Sequence, residues 1–155
     1  MKKVLCFGEL LLRFSPPASG EWLLQHQMPV FVGGAELNVA TALAKWGVPA
    51  KYFTVLPDTA ISKNIVAYVA QKQIDSSAIV YTDGRLGIYY LSTGTDMKSA
   101  HTVFDRKDSS FSIFKTGQLN WDQILEDVSW FHFTAIAPAL SETAAALCKE
   151  ALHAA

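Results

Sequence analysis

The sequence predicts an α/β fold in which helices pack on a parallel sheet and a separate small sheet projects from it. Short apolar runs alternate with segments of helical spacing along the chain, a pattern typical of parallel strands joined by helices. Two groups of extended segments do not belong to that alternation. The length of 155 residues fits one domain, for which about 100–200 residues are usual, or one part of a larger enzyme.

The composition excludes several classes of protein. Hydrophobic residues make up 50% of the chain and charged residues 17%, whereas a disordered chain needs few apolar and many charged residues. The 13 Lys and Arg against 14 Asp and Glu leave no basic surplus for a nucleic acid backbone. No apolar run reaches the roughly 18 residues of a membrane span. A cytoplasmic protein that binds neither nucleic acid nor membrane is therefore expected.

The N-terminal part combines one buried strand with two extended pieces. Residues 4–7 (VLCF) form a short apolar run that ends at Gly8, as expected of a strand inside a parallel sheet. Residues 10–14 and 29–32 look extended. Between them, residues 15–20 (SPPASG) are a loop by composition.

The next segment alternates helix and strand. Residues 36–46 carry apolar side chains at helical spacing, and Gly47 and Pro49 supply the signal that ends a helix. Residues 50–56 form the following strand. A second helix begins at residues 57–59 (PDT) and runs to about residue 73, which completes a strand and helix alternation.

The middle of the chain departs from the alternation. After a short strand at residues 79–81, two extended runs at 86–92 and 101–106 are separated by residues 93–96 (TGTD), which predicts a β-hairpin. Residues 107–120 look irregular. The hairpin is expected to belong to the small sheet.

The C-terminal part returns to the α/β pattern. Asn120 is placed to cap a short helix over 121–127, residues 128–133 (VSWFHF) read as a buried strand, and Ser141 caps a final helix to about His153. Such a helix normally leads into another parallel strand. We therefore expect the natural protein to continue beyond residue 155.

The most informative motif is the hexapeptide 33–38 (GGAELN). Gly33 and Gly34 precede a helix, so a ligand could approach the backbone and the free N–H groups of the helix N-terminus. Asn38 lies one turn into the helix on a face that looks buried, where its amide needs a partner. A sugar hydroxyl or the neighbouring backbone would serve. The motif is neither a dinucleotide fingerprint nor a phosphate loop.

Other candidate residues have two interpretations each. Alternation sends Tyr89 and Tyr90 to opposite faces of their strand, so both are ordinary strand aromatics or one offers its hydroxyl to a ligand. Arg106 either is solvated or grips a carboxylate. Arg13, a charge in an apolar strand, is edge-exposed or functional, and His132 is a core or sheet-end histidine rather than a base.

No activated nucleophile is indicated. The chain has no Gly-x-Ser-x-Gly sequence and no Cys/His arrangement. Cys6 and Cys148 lie near opposite ends, outside any CxxC pair, so neither a disulfide framework nor a metal site is expected.

These motifs resemble the ribokinase/PfkB family of sugar kinases over essentially the whole chain. The likeness begins at residues 4–9 (VLCFGE) and is strongest at residues 33–40 (GGAELNVA). Residues 87–90 (GIYY), 104–107 (FDRK) and 131–141 (FHFTAIAPALS) are similar to the 2-keto-3-deoxygluconate kinase branch. The resemblance implies a Rossmann-like domain with helices on both faces and a small β-sheet lid, formed by segments at about 10–32 and 86–106. The lid often forms a dimer contact in this family, so a homodimer is expected.

The resemblance also implies site residues. The sugar acid would contact the glycine motif and the lid through Gly33, Gly34, Asn38, Tyr89, Phe104 and Arg106. The family's keto-acid kinases usually carry Tyr where this chain has Phe104, so one ligand hydrogen bond would be lost. Many sugar kinases of the family carry an acidic residue where this chain has Arg13, and we relate Arg13 to an acidic or otherwise different substrate.

The resemblance places the catalytic Asp and most of the ATP and Mg²⁺ site in the second half of such enzymes, in a Gly-x-Gly-Asp-like motif that these residues lack. We therefore expect the parent protein to be an ATP-dependent carbohydrate kinase and the chain alone to be inactive. Two other interpretations stay open: a non-catalytic module that dimerises or binds sugar, and a fructokinase-like or adenosine-directed kinase of the same family.

Overall fold

The structure, a computed structural model, describes residues 2–17, 19–92 and 102–155. Its strands are β1 Lys3–Phe7, β2 Leu11–Phe14, β3 Val30–Gly33, β4 Ala50–Pro57, β5 Ile79–Thr82, β6 Gly87–Leu91, β7 Thr102–Asp105 and β8 Val128–His132. Its helices are α1 Glu21–Gln25, α2 Ala35–Lys45, α3 Ala60–Gln71, α4 Ser110–Ile113, α5 Trp121–Leu125 and α6 Glu142–Ala154. Across the described ranges no helix is long and apolar enough to cross a membrane.

The predicted parallel sheet is confirmed. Its strand order is β5-β4-β1-β8, and every neighbouring pair runs parallel. Helices α2 and α3 pack on one face around Cys6, Tyr52 and Leu56. Helices α4, α5 and α6 pack on the other face around Leu5 and Phe53. The helices therefore cover both faces, as the resemblance implied.

The alternation of side chains along β1 and β4 builds these two core layers. Leu5 and Phe7 point into one layer and Cys6 into the other, as the two-residue period of a strand requires. Phe7 stacks on Phe53 of β4 with ring centroids 4.9 Å apart and planes 4° apart. This contact holds the two central strands together near the carboxyl end of β1.

A second sheet contains the extended segments that do not belong to the alternation of strands and helices. Its order is β3-β2-β6-β7, with β2 antiparallel to β3, parallel to β6, and β6 antiparallel to β7. The predicted pairing of the hairpin strands is therefore confirmed. The turn at 93–96 and the start of the second hairpin strand at residue 101 lie outside the described residues.

The predicted helix caps are confirmed. The side chain of Asn120 accepts from the Gln123 N–H at 3.2 Å, and that of Ser141 accepts from the Ala144 N–H at 3.0 Å. Each satisfies a backbone donor that the first helical turn leaves free. Helix α2 ends before Gly47, whose φ of +75° is the left-handed conformation that favours glycine at this position.

Two expectations about local structure are wrong, and one short helix lies where the sequence analysis made no prediction. Within the described residues the strand at 128–133 is not buried, because β8 pairs there with β1 on one side and Trp130 is 67% exposed. The irregular segment 107–120 contains the one-turn helix α4, capped by Ser109. A further short helix, α1, lies between the extended pieces of the N-terminal region. Both helices are too short for apolar periodicity to reveal them.

A cluster of charges joins the amino ends of the parallel strands. The carboxylate of Asp127 pairs with Lys3 and Lys51, and Asp75 lies 2.7 Å from the Lys3 ammonium. Hydrogen bonds from Lys3 and Lys51 lower the pKa of Asp127 to about 2. Because Lys51 is only 5% exposed, its charge needs this partner. The cluster lies at the opposite end of the sheet from the glycine motif.

Candidate functional site

A cavity of about 320 Å³ lies between the carboxyl ends of the parallel strands and the small sheet. Ligands of α/β proteins bind at this end of the sheet, and the volume is at the lower end of the range of small-molecule sites. The cavity is lined by Glu9, Leu11, Gly34, Ala35, Glu36, Asn38, Tyr89, Thr102, Phe104, Arg106, Ile136 and Ala137.

A larger groove of about 470 Å³ borders the charge cluster at the other end of the sheet. Its charged groups include Lys51 and Asp127, which already neutralise each other. The smaller cavity combines a helix N-terminus, aromatic rings and a guanidinium from both sheets. Convergent polar groups of this kind mark a binding site better than volume does, so the smaller cavity is the candidate site.

The paired glycines bring three parts of the chain into contact. A Cβ at Gly34 would lie 3.0 Å from the Glu9 carbonyl oxygen and 3.3 Å from Cβ of Leu37. A Cβ at Gly33 would lie 3.0 Å from the Tyr89 hydroxyl oxygen. Gly34 lines the cavity, and Gly33 packs against Tyr89 beside it. Both positions therefore need the small residue for close approach.

The structure reverses the expected burial of Asn38 and Glu36. Asn38 is exposed and lines the cavity, whereas Glu36 is only 2% exposed. Leu37 and Ala40 form the face of α2 that packs on the sheet, which turns Asn38 away from the core. The amide of Asn38 is therefore accessible to a ligand and needs no buried partner.

Glu36 ties the start of α2 to the segment after β8. Its Oε1 accepts a hydrogen bond from the Thr134 N–H at 3.1 Å and one from the Thr134 hydroxyl at 2.6 Å. A Cβ at Gly8 would lie 2.1 Å from Oε2 of Glu36. The carboxylate therefore occupies space that exists because residue 8 has no side chain.

Arg106 is neither solvated nor free for a ligand on all sides. Its Nε donates to Oε2 of Glu9 at 2.8 Å, its Nη2 donates to the same oxygen, and the Ser109 hydroxyl donates to Oε1 of Glu9. Glu9 is 4% exposed, and burial raises the pKa of its carboxyl, against the opposing effects of Arg106 and Ser109. A buried ion pair therefore lies in the cavity wall.

Two aromatic rings stand beside this ion pair. Tyr89 and Phe104 have centroids 5.7 Å apart, and the Arg106 guanidinium carbon lies 5.6 Å from the Phe104 ring centre. Tyr90 turns to the opposite face and packs on Phe14 at 5.6 Å, so the predicted alternation of the two tyrosines is confirmed. Tyr89 faces the cavity with Phe104 and Arg106.

Two further candidates lie outside the cavity lining. Arg13 stacks its guanidinium carbon 4.2 Å from the Phe31 ring centre, on the central strand β2 rather than at a sheet edge. His132 ends β8, and its buried Nε2 has no hydrogen-bond partner within the described residues. Neither lies among the residues that line the cavity.

Sequence reasoning missed both buried carboxylates of the site. Glu9 comes two residues after a central parallel strand, and Glu36 lies in the first turn of α2. Their positions at the ligand-binding end of the sheet were a usable signal.

Burial raises the pKa of Cys6 to about 12 and that of Cys148 to about 11, so both thiols stay protonated. Within the described ranges, no group of three His, Cys, Asp or Glu is arranged to hold a metal ion.

The doubly covered parallel sheet and the small mixed sheet beside it are the architecture that the resemblance to the ribokinase/PfkB family implied. The pfkB family carbohydrate kinase model matches residues 1–155, and the chain belongs to that family. A solved structure, 2-dehydro-3-deoxygluconokinase of Thermotoga maritima, superimposes with a TM-score of 0.89 at 33% identity, over 99% of this chain and 47% of that one.

Two curated relatives extend the comparison. The 2-dehydro-3-deoxygalactonokinase of Haloferax volcanii is 29% identical over 91% of this chain and 44% of its own length. Fructokinase-1 of Oryza sativa is 28% identical over 86% of this chain and 41% of its own length. The chain thus spans less than half the length of the curated relatives that it matches.

Proposed function

We propose that this chain is the sugar-binding half of an ATP-dependent kinase for a keto-deoxy sugar acid. Arg106 carries the proposal, because its guanidinium is held in the cavity wall beside Tyr89, Phe104 and Asn38. A guanidinium binds a carboxylate through two parallel hydrogen bonds. The named relatives that act on 2-dehydro-3-deoxy sugar acids support the same substrate class.

The roles of the residues follow from their chemistry. Arg106 binds the substrate carboxylate, while the exposed amide of Asn38 and the hydroxyl of Tyr89 bind sugar hydroxyls. Gly33 and Gly34 let the sugar reach the N-terminus of α2. The strands β2, β3, β6 and β7 act as a lid that covers the sugar and excludes water. This chain's contribution is to bind and orient, so that a sugar hydroxyl is presented for phosphorylation.

ATP and Mg²⁺ belong to the proposal through the family resemblance. The described residues do not fit these groups, because no group of three His, Cys, Asp or Glu among them is arranged to hold Mg²⁺, and Arg106 is assigned to the substrate carboxylate and not to the phosphates of ATP. We assign phosphoryl transfer and its catalytic Asp to a further part of a longer protein, and no step of that reaction to this chain.

Calorimetry with 2-keto-3-deoxygluconate, 2-keto-3-deoxygalactonate and fructose tests the substrate class. We expect the 155-residue chain to bind at least one of the sugar acids about tenfold more tightly than fructose, because a charge-assisted pair adds roughly 1.5–3 kcal/mol. ADP formation should be undetectable with ATP, Mg²⁺ and either acid. Tighter binding of fructose would contradict the assignment to sugar acids, and ADP formation would contradict the division of roles.

A fructokinase-type substrate is the second candidate, and one observation favours it. Among the described residues that line the cavity, the carboxylates of Glu9 and Glu36 stand against the single guanidinium of Arg106. This balance offers no excess positive charge to an acidic ligand, whereas a neutral sugar binds through hydrogen bonds and needs no such excess. The same calorimetric comparison distinguishes the two substrates.

We also propose that the small sheet forms a homodimer contact. The outer edges of β3 and β7 pair with no further strand in the part of the chain that the structure describes, and such edges are ready to pair with another strand. Val30 and Val103 lie on the face of the sheet that carries Tyr90 and are 48% and 59% exposed, and Leu24 of the adjoining α1 is 84% exposed. A second copy of the sheet would cover this apolar surface.

Sedimentation equilibrium tests the dimer. We expect a mass near twice the monomer's 17.0 kDa, and a shift to monomer in V103E, since a buried charge opposes association. L152E is the matched control, because Leu152 is 47% exposed on α6, away from the small sheet. A wild-type chain that stays monomeric at high concentration, or equal dissociation in both variants, would overturn this contact.

A further inference from the structure

We propose that Glu9 is the positioning residue of the site: it fixes Arg106 so that one defined edge of the guanidinium faces the ligand. The inference rests on the proposed sugar-acid function and assigns a role to a residue that binds no substrate itself. Its basis is the set of hydrogen bonds between Glu9 and Arg106, which use some of the guanidinium N–H groups and leave others open.

The contacts divide the guanidinium into an occupied and an open edge. Glu9 receives the Nε–H and one N–H of Nη2 on a single oxygen, Oε2. A guanidinium has five N–H donors in a rigid plane. The Nη1 group and the second N–H of Nη2 therefore form the remaining edge, and Nη1 makes no hydrogen bond within the described residues. That edge has the spacing for a second bidentate carboxylate contact.

The surroundings of Glu9 hold its carboxylate in one place. Glu9 lies two residues after the end of β1, next to Gly8. Ser109, the N-cap of α4, donates a hydrogen bond to Oε1 of Glu9. A Cβ at Gly87 would lie 2.7 Å from the same oxygen. A carboxylate that is 4% exposed and enclosed in this way has little rotational freedom. Through the ion pair, the fixed carboxylate also restricts the position of the Arg106 guanidinium, whose side chain is 18% exposed.

The arrangement also joins the two sheets. Glu9 belongs to the connection that leaves the parallel sheet, whereas Arg106 directly follows β7 of the small sheet. The guanidinium is therefore placed relative to the parallel sheet and to helix α2, which packs on that sheet, and not only relative to its own strand. A ligand that bridges the cavity meets both groups at a fixed separation, which removes an ordering cost from binding.

Two readouts on the 155-residue chain test this role, with E9Q as the variant and S109A as the matched control. Gln keeps the shape of Glu9 and removes its charge, and a neutral acceptor holds a guanidinium more weakly. In E9Q, we expect the NMR signal of the Arg106 Nε–H to exchange with water at least about tenfold faster, and 2-keto-3-deoxygluconate to bind about tenfold more weakly.

The control removes the other partner of Glu9 and leaves its contact with Arg106 in place. S109A should lower the melting temperature, because α4 loses its cap, and it should loosen Glu9 only in part, since both hydrogen bonds from Arg106 remain. We therefore expect clearly smaller losses of Nε–H protection and of affinity for 2-keto-3-deoxygluconate in S109A than in E9Q. Equal losses of affinity in S109A and E9Q would reduce Glu9 to a structural residue and overturn the proposal. Unchanged Nε–H exchange in E9Q would overturn it, and so would tighter binding, because Glu9 would then only offset the charge of Arg106.

The two proposals can fail separately. If the wild-type chain binds neither sugar acid, the proposed substrate class fails, and the Nε–H exchange of Arg106 in wild type and E9Q still decides whether Glu9 positions the guanidinium. If the wild-type chain binds the acid and E9Q behaves like wild type in both readouts, the substrate class stands and the positioning role fails.

Discussion

Replacing Gly8 by alanine is expected to lower the free energy of unfolding by about 3 kcal/mol, at the upper end of the range for an overpacked core. The added Cβ would lie 2.1 Å from Oε2, 2.4 Å from Cδ and 2.9 Å from Cγ of Glu36. Three close atoms of one side chain mean that Glu36 must leave its position. Its two hydrogen bonds with Thr134 are then lost, and a carboxylate that was 2% exposed loses its partners.

Urea unfolding of G8A, E36A and the double variant separates this cause from a general effect on the strand. In the E36A background, G8A should cost less than about 1 kcal/mol, because the side chain that it displaces is absent and the coupling of neighbouring residues disappears. An equally large cost in both backgrounds would show that the alanine disturbs the backbone after β1 and not Glu36.

Much of the fold follows from local signals in the sequence. Residues 4–7 read as an inner strand because four apolar residues end at a glycine, and β1 is a central strand of the parallel sheet. Asn120 and Ser141 were identifiable as caps because a cap needs only one side chain and the backbone of the next turn. Such features depend on neighbours in sequence, so one sequence suffices.

The position of a strand within its sheet is not a local property. Residues 128–133 are apolar enough for a central strand, yet among the described residues β8 pairs only with β1, and Trp130 is 67% exposed. The order of strands is set by which helices and connections cover the sheet. An apolar run alone does not distinguish an edge strand from an inner one.

In the site, too, features that depend on neighbouring residues were predictable and features that depend on distant residues were not. Gly33 and Gly34 were identifiable because paired glycines before a helix indicate close approach. The pairing of Glu9 with Arg106 joins residues 97 positions apart, and nothing in the sequence indicates that they meet. The expectation that Asn38 is buried was wrong because it assumed which face of α2 packs on the sheet, and Glu36 is the buried neighbour.

Replacing Arg106 by methionine is expected to lower the free energy of unfolding by about 3–5 kcal/mol at pH 7.5, the usual result of removing one partner of a buried ion pair. Methionine keeps the length of the side chain and removes the charge. Glu9, which is 4% exposed, would then be a buried carboxylate with the Ser109 hydroxyl as its main partner.

The loss should depend on pH in a defined direction. Burial already raises the pKa of Glu9 in the folded chain, and Arg106 opposes that increase, so the pKa rises further in R106M. A raised carboxyl pKa gives a stability contribution that is present below the ordinary pKa of glutamate and is lost as pH rises through the folded value. The difference in stability between wild type and R106M should therefore shrink as pH falls from 7.5 to 5, because protonation removes the unpaired charge.

Urea midpoints of wild type, R106M and the double variant E9Q/R106M across this pH range measure the effect. The double variant contains neither charge, so most of the lost stability should return at pH 7.5 and the extra pH dependence should vanish. A loss in R106M that is the same at every pH, or one that E9Q does not reverse, would mean that the methionine disturbs packing against Phe104 and Tyr89. The ion pair would then contribute little to stability, and its place in the cavity wall would have to be explained by ligand binding alone.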